Sequence, residues 1–236
     1  MKAAAPAADA AGKRREAIVP SGSPLSLAQR AYELLVRKIT RLEAEPGSVL
    51  VERDLMQEFG IGRTPLREAM QRLASERLVN HLPNRGMFVS EISASSVQEI
   101  YEFRAVVDGY AASLAAARAT PAQVRELAQL HKRLLRSAED EDIDDYVASD
   151  RQFFRVLAEA AHNALVSDAI PRIFNLHLRL WFFISQKAGG WQAIAHAHEV
   201  MTRDLVDALE RRDPVAARQA MESYVAGRLG DIRRIL

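Results

Sequence analysis

GRTPLREAMQRLASERLV, residues 62–79, followed by PNRGMFV, residues 83–89, is the stretch on which the fold turns. In the first run Leu66, Ala69, Met70 and Leu73 recur at helical spacing and define one apolar stripe. Thr64 reads as the N-cap of this helix, with Pro65 in the first turn, where a missing N–H costs nothing. Arg63 and Arg67 are four residues apart and therefore share a face. Downstream, 79–83 and 87–90 flank Asn84-Arg85-Gly86 and read as two short strands closed by an Asn-x-Gly turn.

Upstream, Ser26 is a cap for a helix carrying Leu27, Tyr32, Leu35, Val36, Ile39 and Leu42, ended by Pro46-Gly47. A short helix follows from Glu52 to Phe59, with Leu55, Met56 and Phe59 inward, and Gly60-Ile61-Gly62 turns the chain into the next. Three helices and a hairpin are the layout of a winged helix-turn-helix, expected over residues 25–92. Residues 1–24, rich in alanine, proline, glycine and serine, read as a disordered tail bearing Lys13-Arg14-Arg15. Residues 93–96, Ser-Ala-Ser-Ser, read as a linker.

Beyond the linker, 97–236 reads as helices only, near 97–118, 121–139, 143–161, 165–186, 191–210 and 214–233. Thr120-Pro121 and Asp213-Pro214 are cap-plus-proline starts, and Gly189-Gly190 breaks the chain. The fold class expected is mostly α: an N-terminal winged helix-turn-helix and a C-terminal all-α antiparallel bundle. Composition agrees. Of 236 residues 48% are hydrophobic and 27% charged, enough for a sizeable core, and glycine (11) and proline (9) are sparse. Zero cysteines exclude a disulfide scaffold, a thiolate metal site and a cysteine nucleophile. No apolar run approaches the length of a membrane span, and the leader lacks the continuous apolar core of a secretory signal, so cytoplasmic residence is expected.

A recognition helix needs long polar donors at its N-terminal end to reach base edges in the major groove. Arg63, Thr64 and Arg67 supply them, since arginine bonds guanine bidentately or holds a phosphate. Arg53 on the preceding helix is placed for backbone or base edge, and Arg72, further along, for phosphate. Arg85-Gly86 at the hairpin tip suits a minor groove, where the potential is negative and glycine allows close approach. Net charge is only +1, and residues 25–95 carry ten basic and nine acidic side chains. One copy is a weak electrostatic binder, so a symmetric pair on two half-sites is expected.

With these residues in place, GRTPLREAMQRLASERLV, PNRGMFV and the preceding PGSVLVERDLMQEFGI resemble the N-terminal domain of the GntR family. The helical remainder resembles the FadR-type branch, whose effector domain is called FCD. The resemblance covers nearly everything after residue 25. It implies a homodimeric transcription factor, not an enzyme, that binds a palindromic double-stranded operator and responds to a small metabolite. It implies DNA contacts for Arg53, Arg63, Thr64 and Arg67 with Arg85-Gly86 at the wing. Gly62 stands where the family usually has serine, and Arg77 where glycine is usual.

In the helix from Ile143, Asp150 falls in an apolar stripe of Tyr146, Val147, Phe153, Phe154 and Leu157. A carboxylate there must be paired, hydrogen-bonded or bound to a ligand. Many FCD proteins hold a divalent metal with one aspartate and three histidines. In this chain those positions read Asp150, Phe154, Thr202 and Tyr224. One ligand of four remains; His198, one turn before Thr202, is a single displaced histidine, His196 points elsewhere, and His131, His162 and His177 match no ligand position, so no metal and no other cofactor is expected. Asp150 is expected to accept instead from the Tyr224 hydroxyl, the Thr202 hydroxyl or an effector group. Arg104, four residues before Asp108, is the best anion anchor for an effector carboxylate, or a partner for Asp108 or Asp150. The effector set is thus Arg104, Asp150, Phe154, Thr202 and Tyr224. Two rival readings remain. In one the bundle only dimerises. In the other the chain is a metal-dependent hydrolase, although it lacks H-E-x-x-H, a Ser-His-Asp pattern and a metal cluster.

Overall fold

The Ser26 hydroxyl accepts from the Gln29 N–H at 3.1 Å and opens helix α1, Leu27–Thr40. A computed structural model describes residues 25–187 and 190–236; the 1–24 tail and Gly189 lie outside the described residues. Helix α2 is Glu52–Phe59, closed by Gly60 in the left-handed region at φ +63°. Helix α3 is Arg63–Ser75. Its N-cap is Gly62, not Thr64: Gly62 is extended, its carbonyl accepts from the Leu66 N–H, and Thr64 already lies within the helix. Strands β1, Val79–Leu82, and β2, Gly86–Val89, pair antiparallel with Val79 opposite Val89 and Leu82 opposite Gly86. The turn needs positive φ at Asn84 (+61°) and Gly86 (+96°), residue types that tolerate it. A further bridge joins Val49 to Phe88, so the segment after Pro46-Gly47 adds an edge to the hairpin. Helix α1 ends at Thr40, one turn earlier than the Pro-Gly signal suggested.

The helical part comprises α4 (Ala94–Arg118), α5 (Pro121–Glu139), α6 (Ile143–Ala160), α7 (Ala164–Lys187), α8 (Trp191–Glu210) and α9 (Pro214–Arg233). Residues 93–96 are not a linker. Ser93 caps α4 and Ser96 returns the bond to the Ser93 N–H, a reciprocal capping box. Thr120 and Gln123 repeat the device before Pro121, and Asp213 caps α9.

The apolar core falls into two clusters. One lies among α1, α2, α3 and the hairpin, around Leu35, Ile39, Leu66, Met70 and Leu73. The other fills the bundle, where α4 lies along α9 and buries Ala111, Ala112, Ala115 and Ala116 in the core. Small side chains let these two helices approach closely: a Cβ added at Gly109 would lie 3.1 Å from Glu222 Cγ. Helix α7 bridges the clusters. The Asn175 amide donates to the Tyr32 hydroxyl at 3.0 Å, and that hydroxyl donates to Glu76 at 2.7 Å. Burial and Glu76 push the Tyr32 phenol up to about 12, so it remains a donor. Among the described residues no helix is long and apolar enough to cross a membrane.

Candidate functional site

Two sites emerge, one on the winged part and one inside the bundle. The stripe Leu66, Ala69, Met70 and Leu73 buries the inner face of α3, and its first turn therefore turns Arg63, Thr64 and Arg67 outward. The Arg63 side chain is 69% exposed and Arg67 57% exposed. Arg53, near the start of α2, is 89% exposed and donates to Asp54 at 3.2 Å. Arg85 and Gly86 are exposed at the hairpin tip, and an open groove bounded by Arg67, Gln71, His81, Asn84 and Gly86 separates the tip from α3. Arg67 of α3 and Gly86 of the wing thus border one groove.

One acidic residue sits among them. Glu52 accepts from Arg67 Nε through both oxygens, at 2.8 and 3.0 Å, and lies 4.0 Å from Arg63 Nε. Sequence reasoning missed this pair, because the partners are 15 residues apart on different helices. Arg72 is placed differently. Its guanidinium lies 3.6 Å from the centre of the Tyr32 ring and bonds Glu76 and Gln29. It braces α1 against the end of α3 beside the bundle, away from the first turn of α3.

Inside the bundle Asp150 is buried. Its partner is His198 on α8, with Nε2 at 3.0 Å from the carboxylate, at an angle outside hydrogen-bond geometry. The other ring nitrogen of His198 lies 2.8 Å from the Tyr146 hydroxyl. The sequence expectation that Thr202 or Tyr224 bonds Asp150 is therefore corrected. Thr202 meets His131 Nδ1 at 2.8 Å and donates to the Glu199 carbonyl. The Tyr224 hydroxyl has no partner, while its ring packs edge-on against His198 and His177.

Arg104 is fully buried and pairs with Asp108, not Asp150, at 2.7 Å. It also donates to His177 Nδ1 at 2.5 Å. Burial opposes the Arg104 charge, but Asp108, Tyr101 and Tyr224 outweigh it and hold the guanidinium above its ordinary value. Burial raises Asp108 against the pull of Arg104. Burial, then Arg104, push His177 well below the usual histidine value, so it is neutral and accepts through Nδ1. Phe154 lies beside this group and is buried, its ring tilted against Phe174 and His198.

The donor set does not suit the divalent metal of many FCD domains. Phe154 has no donor atom, and the Thr202 hydroxyl is engaged by His131. Burial raises the Tyr224 phenol further above its ordinary value, so it does not ionise to a ligand. Asp150 and His198 alone remain. Among the described residues no three histidine, aspartate or glutamate side chains converge as a metal cluster. What the arrangement does hold is polar capacity left over: Tyr101, Asp108, Ser149, Asp150, His198 and Tyr224 each keep a buried polar atom without a hydrogen bond. Buried groups of this kind are normally satisfied by water or a ligand.

Comparison with known proteins matches both halves. Residues 27–89 match the model of bacterial regulatory proteins of the gntR family, and residues 99–227 match the FCD domain. The chain is 27% identical over 208 residues to the HTH-type transcriptional repressor RspR of Escherichia coli K12, covering 88% of this chain and 89% of that one. It is 27% identical over 136 residues to the gluconate operon transcriptional repressor of Bacillus subtilis, covering 58% of this chain and 55% of that one. Among solved structures, E. coli McbR/YncC superposes with a TM-score of 0.74 at 19% identity, over 89% of this chain and 99% of that chain. A putative GntR regulator from Rhodococcus sp. RHA1 gives 0.69 at 24% identity, over 89% and 98%. Relatives and family models are transcriptional regulators and not enzymes, and the outward arginines of α3 sit in the matched DNA-binding domain; the chain belongs to the gntR family of bacterial regulatory proteins, in the group that carries an FCD domain.

Proposed function

We propose that this DNA-binding regulator is a cytoplasmic repressor that works as a homodimer on a palindromic operator and senses a small carboxylate in its bundle. Arg63, Thr64 and Arg67 read or grip the major groove, Arg53 supports them, and Arg85-Gly86 enters the flanking minor groove. Arg72 supplies rigidity to the winged part and at most a peripheral phosphate contact. The observation that carries this reading is the exposed arginine set at the start of α3, with Arg67 bordering the same groove as Gly86 of the wing. The outer face of α4 supports the dimer. Val106 is 70% exposed, and Phe103 and Tyr110 extend the apolar surface one turn to either side. Two copies pair the weakly charged winged parts on two half-sites.

For the effector, the unpartnered polar atoms around Arg104, Asp150, Thr202 and Tyr224 mark the bundle centre, with Phe154 as its apolar wall. A second reading, in which the bundle only dimerises, draws on a different observation: the space bounded by Arg104, Asp108, Phe154 and His177 amounts to about 10 Å³. Gel shifts on the neighbouring intergenic DNA test the regulator. Thermal shifts with short mono- and dicarboxylates separate the two readings, because a ligand at about 100 times its Kd adds about 2.7 kcal/mol. Operator binding with no ligand response assigns the bundle to dimerisation alone.

A further inference from the structure

Arg179 on α7 is a buried arginine without a carboxylate. It is 3% exposed. One terminal nitrogen donates to the Ser90 carbonyl, and its Nε has no partner. The Ser90 hydroxyl beside it is also buried and unpartnered. Among the described residues no acidic oxygen lies within ion-pair distance of this guanidinium. Glu91 acts on it from further away, and the Glu91 carboxylate is folded over Gly47. Burial, opposed by Glu91, lowers Arg179 to about 10. A buried cation in this state gains from an anion brought to it.

The space for one is present. Arg179 and Ser90 line a half-enclosed cleft of about 490 Å³ between the winged part and the bundle. Its walls are Ile92, Ile100, Ile173, Leu176 and Leu180, with Arg172 as a further cation on the lining. Arg77 and Glu99, which also line it, are 3.6 Å apart and neutralise each other, while Glu76 is engaged by Tyr32 and Arg72. Glu91 also lines the cleft and offsets one of the two remaining cations, Arg172 and Arg179, so after these pairings the cleft keeps one cation in excess over an apolar wall. This is the usual form of a small-molecule site, mostly apolar with a few placed polar groups.

We propose that this cleft binds an apolar monocarboxylate, whose carboxylate accepts from Arg179 Nε and the Ser90 hydroxyl while its hydrocarbon body lies on Ile100, Ile173 and Leu176. The site adjoins the bundle centre around Arg104, with Ile173 lining both, but shares none of its polar groups. One wall belongs to the end of α3 and the exit of the hairpin, Ser75–Arg77 and Ser90–Ile92, and the other to α4 and α7. A ligand spanning both walls has its full contacts in this arrangement of the two parts and not in others, so it shifts their population toward this one. Binding itself does not depend on the regulator reading; its consequence for operator affinity rests on that reading.

The test is calorimetric titration of the full chain with 4-phenylbutyrate and with octanoate, beside the neutral 4-phenylbutyramide. The expected result is saturable binding of at least one acid at one site per chain, with the amide at least tenfold weaker. Arg179→Gln should weaken the acid at least tenfold, and so should Ala169→Phe, which fills the cleft from the face of α7 and leaves the guanidinium in place. If Arg179→Gln does not fold, Ala169→Phe decides alone. Absence of saturable binding by either acid up to about 10 mM overturns the proposal. So does binding that Ala169→Phe leaves unchanged. Failure of the protein to shift any operator DNA would count against the regulator reading and leave the calorimetric result standing.

Discussion

Glu52 occupies Arg67 before DNA arrives, and this has a measurable consequence. Both Glu52 oxygens accept from Arg67 Nε, and Arg63 lies at the edge of the same carboxylate. The pair is exposed, so its intrinsic strength corresponds to at most about a fivefold effect in an equilibrium constant. A bidentate arginine–guanine contact is worth roughly 5- to 150-fold in discrimination. If Arg67 reads a base as proposed, it must leave Glu52 to do so, and the pair then opposes binding slightly. Arg67→Ala should weaken operator binding by that 5- to 150-fold. Glu52→Gln should strengthen it by up to about fivefold, more at low salt, because a carboxylate facing the phosphates is also removed. The two effects share one contact, so the gain from Glu52→Gln should shrink when Arg67 is already alanine. Fluorescence anisotropy on a labelled operator duplex, with circular dichroism as a folding control, measures all four corners of this cycle. Weaker binding by folded Glu52→Gln would show that the carboxylate positions Arg67 instead of competing for it. Unchanged affinity in both Arg67→Ala and Arg63→Ala would remove α3 from the groove altogether.

Arg85→Ala should weaken operator binding and make the salt dependence shallower by about one phosphate contact, a slope change near 0.9; unaltered slope and affinity would mean the wing stays off the DNA. Val106→Asp with Tyr110→Asp should convert the dimer to monomer by light scattering at micromolar concentration, and a dimer that survives both places the interface elsewhere than α4. His177 is neutral in the fold and pushed well below 6.5, while the unfolded chain protonates near 6.5. Its contribution is thus complete above about pH 6.5 and drains away as pH falls below it, by up to about 1.4 kcal/mol per pH unit; urea unfolding between about pH 7.5 and 5.5 should show that slope reduced by one proton in His177→Gln. Phe154→His, Thr202→His and Tyr224→His together should create zinc or nickel binding around Asp150, whereas the wild-type chain should hold no stoichiometric transition metal after purification without chelators; one equivalent lost on Asp150→Ala would overturn the helix alignment.

Local signals were the legible ones. Thr120-Pro121 and Asp213-Pro214 carry their caps within four residues, and the structure has helices starting there. The stripe on α3 and the Asn84–Gly86 turn are likewise local, and both halves of the fold follow from them. Thr64 misled because a cap rule looks for a side-chain oxygen, whereas Gly62 caps α3 with its backbone alone. Residues 93–96 misled because serines suit a linker and a capping box equally well. Arg77 shows the reverse: its place in a position usual for glycine is matched by φ +62° after α3, a left-handed conformation that an arginine adopts only at some cost.

The polar interior was legible in half. Asp150 announces itself because a carboxylate on an apolar stripe needs a partner, but the stripe does not name it. His198 is 48 positions away on another helix, and it reaches Asp150 only once α6 and α8 are packed. Arg104 and His177 meet across 73 positions in the same way. These two pairings change the meaning of the lost ligands. A metal would have tied Asp150 to imidazoles through its own charge. Here the aspartate lies against one imidazole directly, that imidazole continues to Tyr146, and a second, neutral imidazole supports Arg104 against Asp108. Each charged group thus has an opposite charge or an imidazole at hand, without an ion. On the proposed reading, the polar atoms still left open around Tyr101, Asp108 and Tyr224 are the capacity available for recognising a ligand, and that ligand's hydrogen-bonding chemistry, not a metal's coordination geometry, would set what the bundle selects.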